Sequence, residues 1–131
     1  MSSLQISMTI PLVPITKKNS QRIVINRKTG RPFIVPSDKY KEYERDAGYF
    51  LKRKGELIEE PVNVQALYYM PTRRRVDLIN LHEALHDILV HYEVLKDDDS
   101  RIIVSTDGSR VLYDKDHPRS EVIITPAKAW P

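Results

Sequence analysis

Between Pro71 and Leu85 the chain reads PTRRRVDLINLHEAL: three successive arginines, then Asp77 where a helical pattern begins. One guanidinium suffices for one carboxylate, so three predict an anionic partner shared by the arginines and the acid. A second acidic group, Asp97-Asp98-Asp99, follows the helical stretch. Clustered carboxylates repel one another unless a divalent cation neutralises them, and all-oxygen ligands favour Mg2+ or Mn2+. Such a cation beside guanidinium groups suits phosphodiester hydrolysis. The metal polarises the phosphate and helps form the attacking hydroxide, while arginine stabilises the developing charge. The plainer reading makes Asp77 a helix N-cap and the triple aspartate a solvated loop; residue types alone leave both open.

A competing motif overlaps the first. His82-Glu83-Ala84-Leu85-His86 matches H-E-x-x-H, the signature of zinc peptidases. No third ligand stands at a familiar offset, because Leu89 and Tyr92 occupy the places where the longer pattern wants glycine and histidine. A peptidase would also leave the arginines without a role. A helical wheel puts His82 at the edge of the Leu78, Leu85 and Leu89 face and His86 further towards solvent. Asn80, Ala84, Asp87 and His91 form a polar stripe suited to solvation or to hydrogen bonds with a neighbouring element.

The elements that must position these groups follow from periodicity. Leu4, Ile6, Met8 and Ile10 alternate with polar residues and predict a half-buried strand, ended by Pro11 and Pro14. ITKKNSQ is a basic loop, and RIVIN and RPFIVP flank RKTG as a hairpin with a basic tip. Ser37 is placed to cap a helix carrying Tyr40, Tyr43, Ala47, Phe50 and Leu51, with Gly55 at its end. Val62 to Met70 alternates as a strand leading into the arginines. The second helix carries Leu78, Leu81, Leu85, Ile88, Leu89 and Tyr92, and three further strands follow, the first two joined through Asp107-Gly108 as a hairpin. This order predicts one α+β domain over residues 1–131, with a mainly antiparallel or mixed sheet packed with two helices. A helix of about 15 residues is ~22 Å long. Asp77 and the triple aspartate can therefore meet only if the strand entered by Arg101 runs back beside the helix start.

Composition narrows the class. At 131 residues with 40% hydrophobic and 30% charged residues, the chain fits a globular domain with one modest core. The absence of cysteine excludes disulfides, thiolate metal sites and a cysteine nucleophile. With no apolar membrane span and no signal-peptide pattern, the expected location is the cytoplasm, with no membrane partner. The net charge of +3 hides a division: residues 1–55 hold 12 Lys and Arg against 4 Asp and Glu, and residues 56–131 hold 9 against 14. A basic half beside an acidic half suits a polyanionic partner and a concentrated acidic site.

With these elements in place, the sequence resembles the RusA family of Holliday junction resolvases, most closely its phage-associated members in Gram-positive bacteria. PITKKNSQRIV, PSDKYKEYERDA and MPTRRRVDLINLHEALHDIL followed by LKDDDSRIIV carry the likeness. The family core runs methionine-proline, a basic run, D-x-D-N-L and a later D-D-x-x-[IV]. The resemblance implies a homodimeric, Mg2+-dependent endonuclease of four-way DNA junctions in recombination and repair, needing no small-molecule cofactor. It makes Asp77 the first acid of D-x-D-N, Asn80 its asparagine, and Asp98-Asp99 the later pair, so that Asp77, Asp98 and Asp99 hold the metal. Ile79 stands where the second acid is expected, and Glu83 where the family has a lysine. One helical turn separates positions 79 and 83, so Glu83 is the residue able to supply the missing charge. Lys17, Lys18, Arg22, Arg27, Lys28, Arg31, Arg73, Arg74 and Arg75 are the expected DNA contacts. The alternative is a junction-binding protein of the same fold without full metal ligation.

Overall fold

The structure is a computed structural model that describes residues 5–17, 21–51 and 55–129. Strand β1 (Ile6–Ile10) is followed by a ribbon of β2 (Gln21–Ile25) and β3 (Pro32–Pro36), then helix α1 (Asp38–Leu51) and the long strand β4 (Val62–Met70). Helix α2 (Leu78–His91) precedes β5 (Ile103–Ser105), β6 (Arg110–Tyr113) and β7 (Arg119–Pro126). The α+β class and the mixed sheet expected from periodicity are both present.

Alternation builds the sheet. Val62, Val64, Ala66 and Tyr68 of β4, Val122 and Ile124 of β7 and Ile10 of β1 point into one core. β7 lies between β1 and β4 and is antiparallel to both. Tyr40, Tyr43, Ala47 and Leu51 of α1 and Leu81, Ala84, Leu85, Ile88 and Leu89 of α2 close that core. Phe50, expected on the buried stripe of α1, is exposed, because position 50 falls beside the row 40, 43, 47, 51 and not in it.

Both helices start, and α2 stops, by local chemistry. The Ser37 hydroxyl accepts from Tyr40 N, as the expected cap of α1. The expected Gly55 end follows residues 52–54, which lie outside the described residues. At the end of α2, Val94 N donates to Leu89 O and Glu93 N to Val90 O, with Glu93 at φ 59°. This is a Schellman end, with Val94 and Leu89 both fully buried. The two helices approach closely at Gly48, where any Cβ would collide with the Tyr92 ring, whose hydroxyl donates to Glu44 O at 2.9 Å.

One expectation fails in an informative way. Asp107-Gly108 does not turn a hairpin; β5 and β6 both run parallel to β4 along the same edge. Side chains of β4 hold the jog between them. Asn63 accepts from Ser105 Oγ and Asp107 N and donates to Asp107 O, and Gln65 donates to Gly108 O. Gly108, at φ +85°, packs where a Cβ would meet Gln65. The β4–α2–β5/β6 passage is therefore a parallel crossover, which fixes where each acid lies. Among the described residues no helix is long and apolar enough to cross a membrane.

Candidate functional site

The chain leaves β4 at Met70, crosses residues 71–76 and enters α2 at Asp77, whose φ of −86° and ψ of 119° are those of an N-cap. Its Oδ1 accepts from Ile79 N at 2.9 Å and Asn80 N at 3.4 Å. The carboxylate is thus fixed at the positive end of the helix dipole, and it is exposed. Arg73, Arg74 and Arg75 are exposed beside it, and among the described residues no ion pair joins them to Asp77. The Arg73 guanidinium lies 4.2 Å from the Tyr113 ring centroid, a cation–π contact that steadies one of the three. This group stands beyond the carboxyl ends of β4 and β6, the end of a parallel pair where open sheets gather their ligand sites. Ile79 is 73% exposed on the first turn of α2.

The triple aspartate lies elsewhere. Ile102 O accepts from Val62 N, so the loop carrying Asp97 to Asp99 sits beside the first residue of β4, and Asp77 lies past its last. β4 has 9 residues, a length of about 27–30 Å, and α2 has 14, a length of ~21 Å. Asp98 shares a shallow pocket with Lys17, Glu44, Asp87, Val90 and His91, at the C-terminal end of α2. One chain therefore does not bring Asp77 together with Asp98 and Asp99. Among the described residues no three metal-ligating side chains form a cluster able to hold an ion.

The three aspartates have separate environments. Partial burial, the facing Asp87 carboxylate and then Asp97 push the Asp98 carboxyl up. Asp99 is gripped by Arg101, with Nη2 at 2.6 Å from Oδ2 and the backbone N at 2.9 Å from Oδ1, and is held down at about 2. Asp97 accepts from the Asp98 backbone N at 2.8 Å. Asp99 organises its own turn; Asp98 is the acid that faces the pocket.

Asp87 and Glu44 were not among the expected site residues. Lys17 Nζ donates to Asp87 Oδ2 at 3.0 Å, and this bond, ahead of the charges of Asp87, Glu44 and Glu83, raises the lysine pKa against its burial. Lys17, expected on DNA, is thus the counter-ion of an acidic pocket formed by Glu44, Asp87 and Asp98. The sequence signal was the Asp87 position on the polar stripe of α2, ten residues beyond Asp77. Ala84 does not belong to that stripe, being buried. Glu83 is half-buried, and its charge acts on Lys17 and Tyr40.

The histidines face inward. His82 Nδ1 is hydrogen-bonded to Tyr68 Oη at 2.7 Å, and the His82 and His86 rings stack at 5.3 Å with an interplanar angle of 7°. Contrary to the helical-wheel expectation, His86 is turned to the body of the protein, and its Nε2 is buried without a partner. Burial first, then the His82 charge, pushes His86 down to about 4, and burial lowers His82. Neither ring is presented with a third ligand, which leaves the zinc peptidase pattern without a site among the described residues.

The basic ribbon carries the remaining cations. Arg27, Lys28 and Arg31 are exposed around a tip held by Asn26, whose Oδ1 accepts from Lys28 N and Thr29 N. Lys18 and the side chain of Arg22 lie outside the described residues. A further cation was not anticipated. Arg119 on β7 bonds Asp114 at 2.9 Å and Glu121 at 2.7 Å and stacks 3.7 Å from the Tyr69 centroid, so its charge is spent within the sheet.

Two comparisons with known proteins bear on this arrangement. A family model described as endodeoxyribonuclease RusA matches residues 11–125, which span both helices, the arginine run and both acidic groups. A search of curated proteins found no match.

Proposed function

The chain belongs to the RusA family of endodeoxyribonucleases, Holliday junction resolvases, and on that premise we propose that it cuts four-way DNA junctions during recombination and repair as a Mg2+-dependent homodimer. The observation that carries this reading is the Asp77 corner. An exposed carboxylate fixed by its own helix stands beside three exposed arginines that form no ion pair with it. Such arginines suit a phosphodiester, whose scissile group would meet guanidinium donors and a positioned acid together. Arg27, Lys28 and Arg31 add phosphate contacts that give affinity without reading sequence.

The metal part of the proposal requires two copies. Magnesium binds oxygen ligands at about 2.0–2.1 Å, and one chain holds Asp77 and Asp98 at opposite ends of α2. We assign the cation to a position between protomers, with Asp77 from one and Asp98 from the other; bound there, it would polarise the phosphate and activate water. A twofold dimer also matches the two equivalent strands of a junction. Glu83, one turn beyond Ile79, is proposed to contribute the charge that Ile79 lacks.

The test uses a labelled synthetic four-way junction with Mg2+ or EDTA. The expected result is paired nicks that need the metal and vanish in Asp77→Asn, which keeps a competent N-cap and hence the fold. Asp77→Asn and Asp98→Asn proteins mixed and allowed to exchange subunits should regain nicking, since half of the mixed sites carry both native acids. No regain would sink the shared site, and Glu83→Gln cutting at the native rate would remove Glu83 from it. A second reading has its own support. Ile79 is exposed at the position of an expected acid, and Asp99 is tied to Arg101. A junction-binding protein without cleavage would bind tightly and cut under no condition.

A further inference from the structure

The β2–β3 ribbon stands off the main sheet as a two-stranded sheet of its own. Its register sets Ile23 opposite Ile34 and Ile25 opposite Pro32, and directly paired residues share a face. That face is uncovered: Ile23 is 73%, Ile25 63% and Ile34 64% exposed. A lone hairpin is marginal in water, and a contiguous apolar face on one marks a contact surface. The stretch from Gln21 to Ser37 contains Arg22, Arg27, Lys28 and Arg31 and no acid. Its tip is pre-shaped by the Asn26 side chain and by Gly30 at φ +70°, whose N donates to Asn26 O at 2.7 Å.

We propose that this ribbon is a wedge that enters the branch point of the DNA junction. The Ile23, Ile25, Ile34 and Pro32 face lies against unstacked bases, and Arg27, Lys28 and Arg31 hold the phosphates of the flanking arms. The inference rests on the junction reading above and names the part of the substrate that this element touches. Charge selects the occupant. An uninterrupted basic ribbon complements a polyanion, and paired across a twofold with its own copy it would set like charges together. Apolar shape selects the branch. In intact duplex the bases are stacked and offer aliphatic side chains little beyond thymine methyl groups. Isoleucine and proline are among the side chains that wedge between base steps and unstack them, and at a branch point, where strands exchange partners, the stack opens at less cost than within a duplex. A two-stranded ribbon is also narrow enough for a DNA groove. The competing acceptor is the apolar groove of Ile6, Leu57, Ile58 and Pro126, rimmed by Glu56 and Glu60, on a second copy.

The experiment uses the full-length protein, a four-way junction with 2-aminopurine at the exchange point, a linear duplex of the same arms and a single strand. Wild-type binding should raise the 2-aminopurine fluorescence. The double variant Ile23→Ser with Ile34→Ser, checked for folding by its thermal melt, should lose that rise and bind the junction about ten-fold more weakly. Its duplex affinity and sedimentation should be unchanged. Arg27→Ala with Arg31→Ala removes four charges per dimer and should weaken junction and duplex alike and lower the magnitude of the salt slope by about four. Unchanged junction affinity and fluorescence in the isoleucine variant overturn the wedge. So does a variant that sediments as a smaller species, which would assign the face to a second copy. If the wild type itself fails to prefer the junction, the substrate reading falls with the wedge. If it prefers and cuts the junction while the isoleucine variant does the same, the wedge alone falls.

Discussion

Asp98 and His86 show how single residues store unfavourable charge in the fold. The Asp98 carboxyl is raised because burial and Asp87 oppose its ionised form. A carboxyl raised in the folded state costs stability once pH exceeds its unfolded value, so Asp98→Asn should stabilise the protein at neutral pH. A higher Tm than the wild type at pH 7, a difference that vanishes near pH 3, is expected from calorimetry. A cation drawn between this carboxylate and others would relieve the same repulsion. His86 works in the opposite pH range. Its folded value, about 4, lies below the ordinary 6.5, so the stability tied to its neutral form is complete above pH 6.5 and is lost as pH falls towards 4. Melts between pH 7.5 and 4 should show this loss, and His86→Leu should flatten it. Asp77 instead holds the start of α2, its Oδ1 accepting from Ile79 N and Asn80 N. Its capping role was legible because an N-cap is written into a few adjacent residues. The inward turn of His86 was not, because a helical wheel lacks the strand beneath it.

At the scale of elements, two helix contacts make the packing testable. Glu93 adopts φ 59° at the residue after the α2 cap, a conformation that costs a side-chain-bearing residue about 1 kcal/mol or more. Glu93→Gly should therefore raise the melting temperature, with a gain of about 0.5–1 kcal/mol in denaturant unfolding. Gly48→Ala should do the reverse, by about 1–3 kcal/mol, because the new methyl group meets the Tyr92 ring. Combining Gly48→Ala with Tyr92→Ala should recover less than the clash alone predicts, since the bond from Tyr92 Oη to Glu44 O is lost as well. The strands teach a different lesson. Asp107-Gly108 carries a strong hairpin signal, yet Asn63 and Gln65 capture the turn and lay both segments along one edge of β4. Those partners lie more than 40 residues away in sequence, beyond any local pattern.

At the scale of the molecule, the charge division becomes spatial. Arg27, Lys28 and Arg31 on the ribbon and Arg73, Arg74 and Arg75 beside Asp77 are exposed, whereas Lys17 and Arg119 are held by acids. In the proposed dimer, six cations per protomer each meeting one phosphate give log affinity against log salt a slope of about −11, and Arg73→Ala with Arg75→Ala, which removes four charges per dimer, should reduce its magnitude by about four. Titrations of junction DNA over a range of salt read this directly.

The sequence by itself determined the helix starts at Ser37 and Asp77, the alternating strands, the α+β class and the family likeness, because each is encoded by residues within a turn or two of one another. The tertiary structure alone decided that β5 and β6 follow β4 in parallel. That pairing puts Asp77 and Asp98 at opposite ends of one helix. It also decided that Lys17 answers Asp87, a partner 70 residues away. Caps and periodicity are short-range constraints, whereas strand order and charge pairing are settled only when the whole core closes.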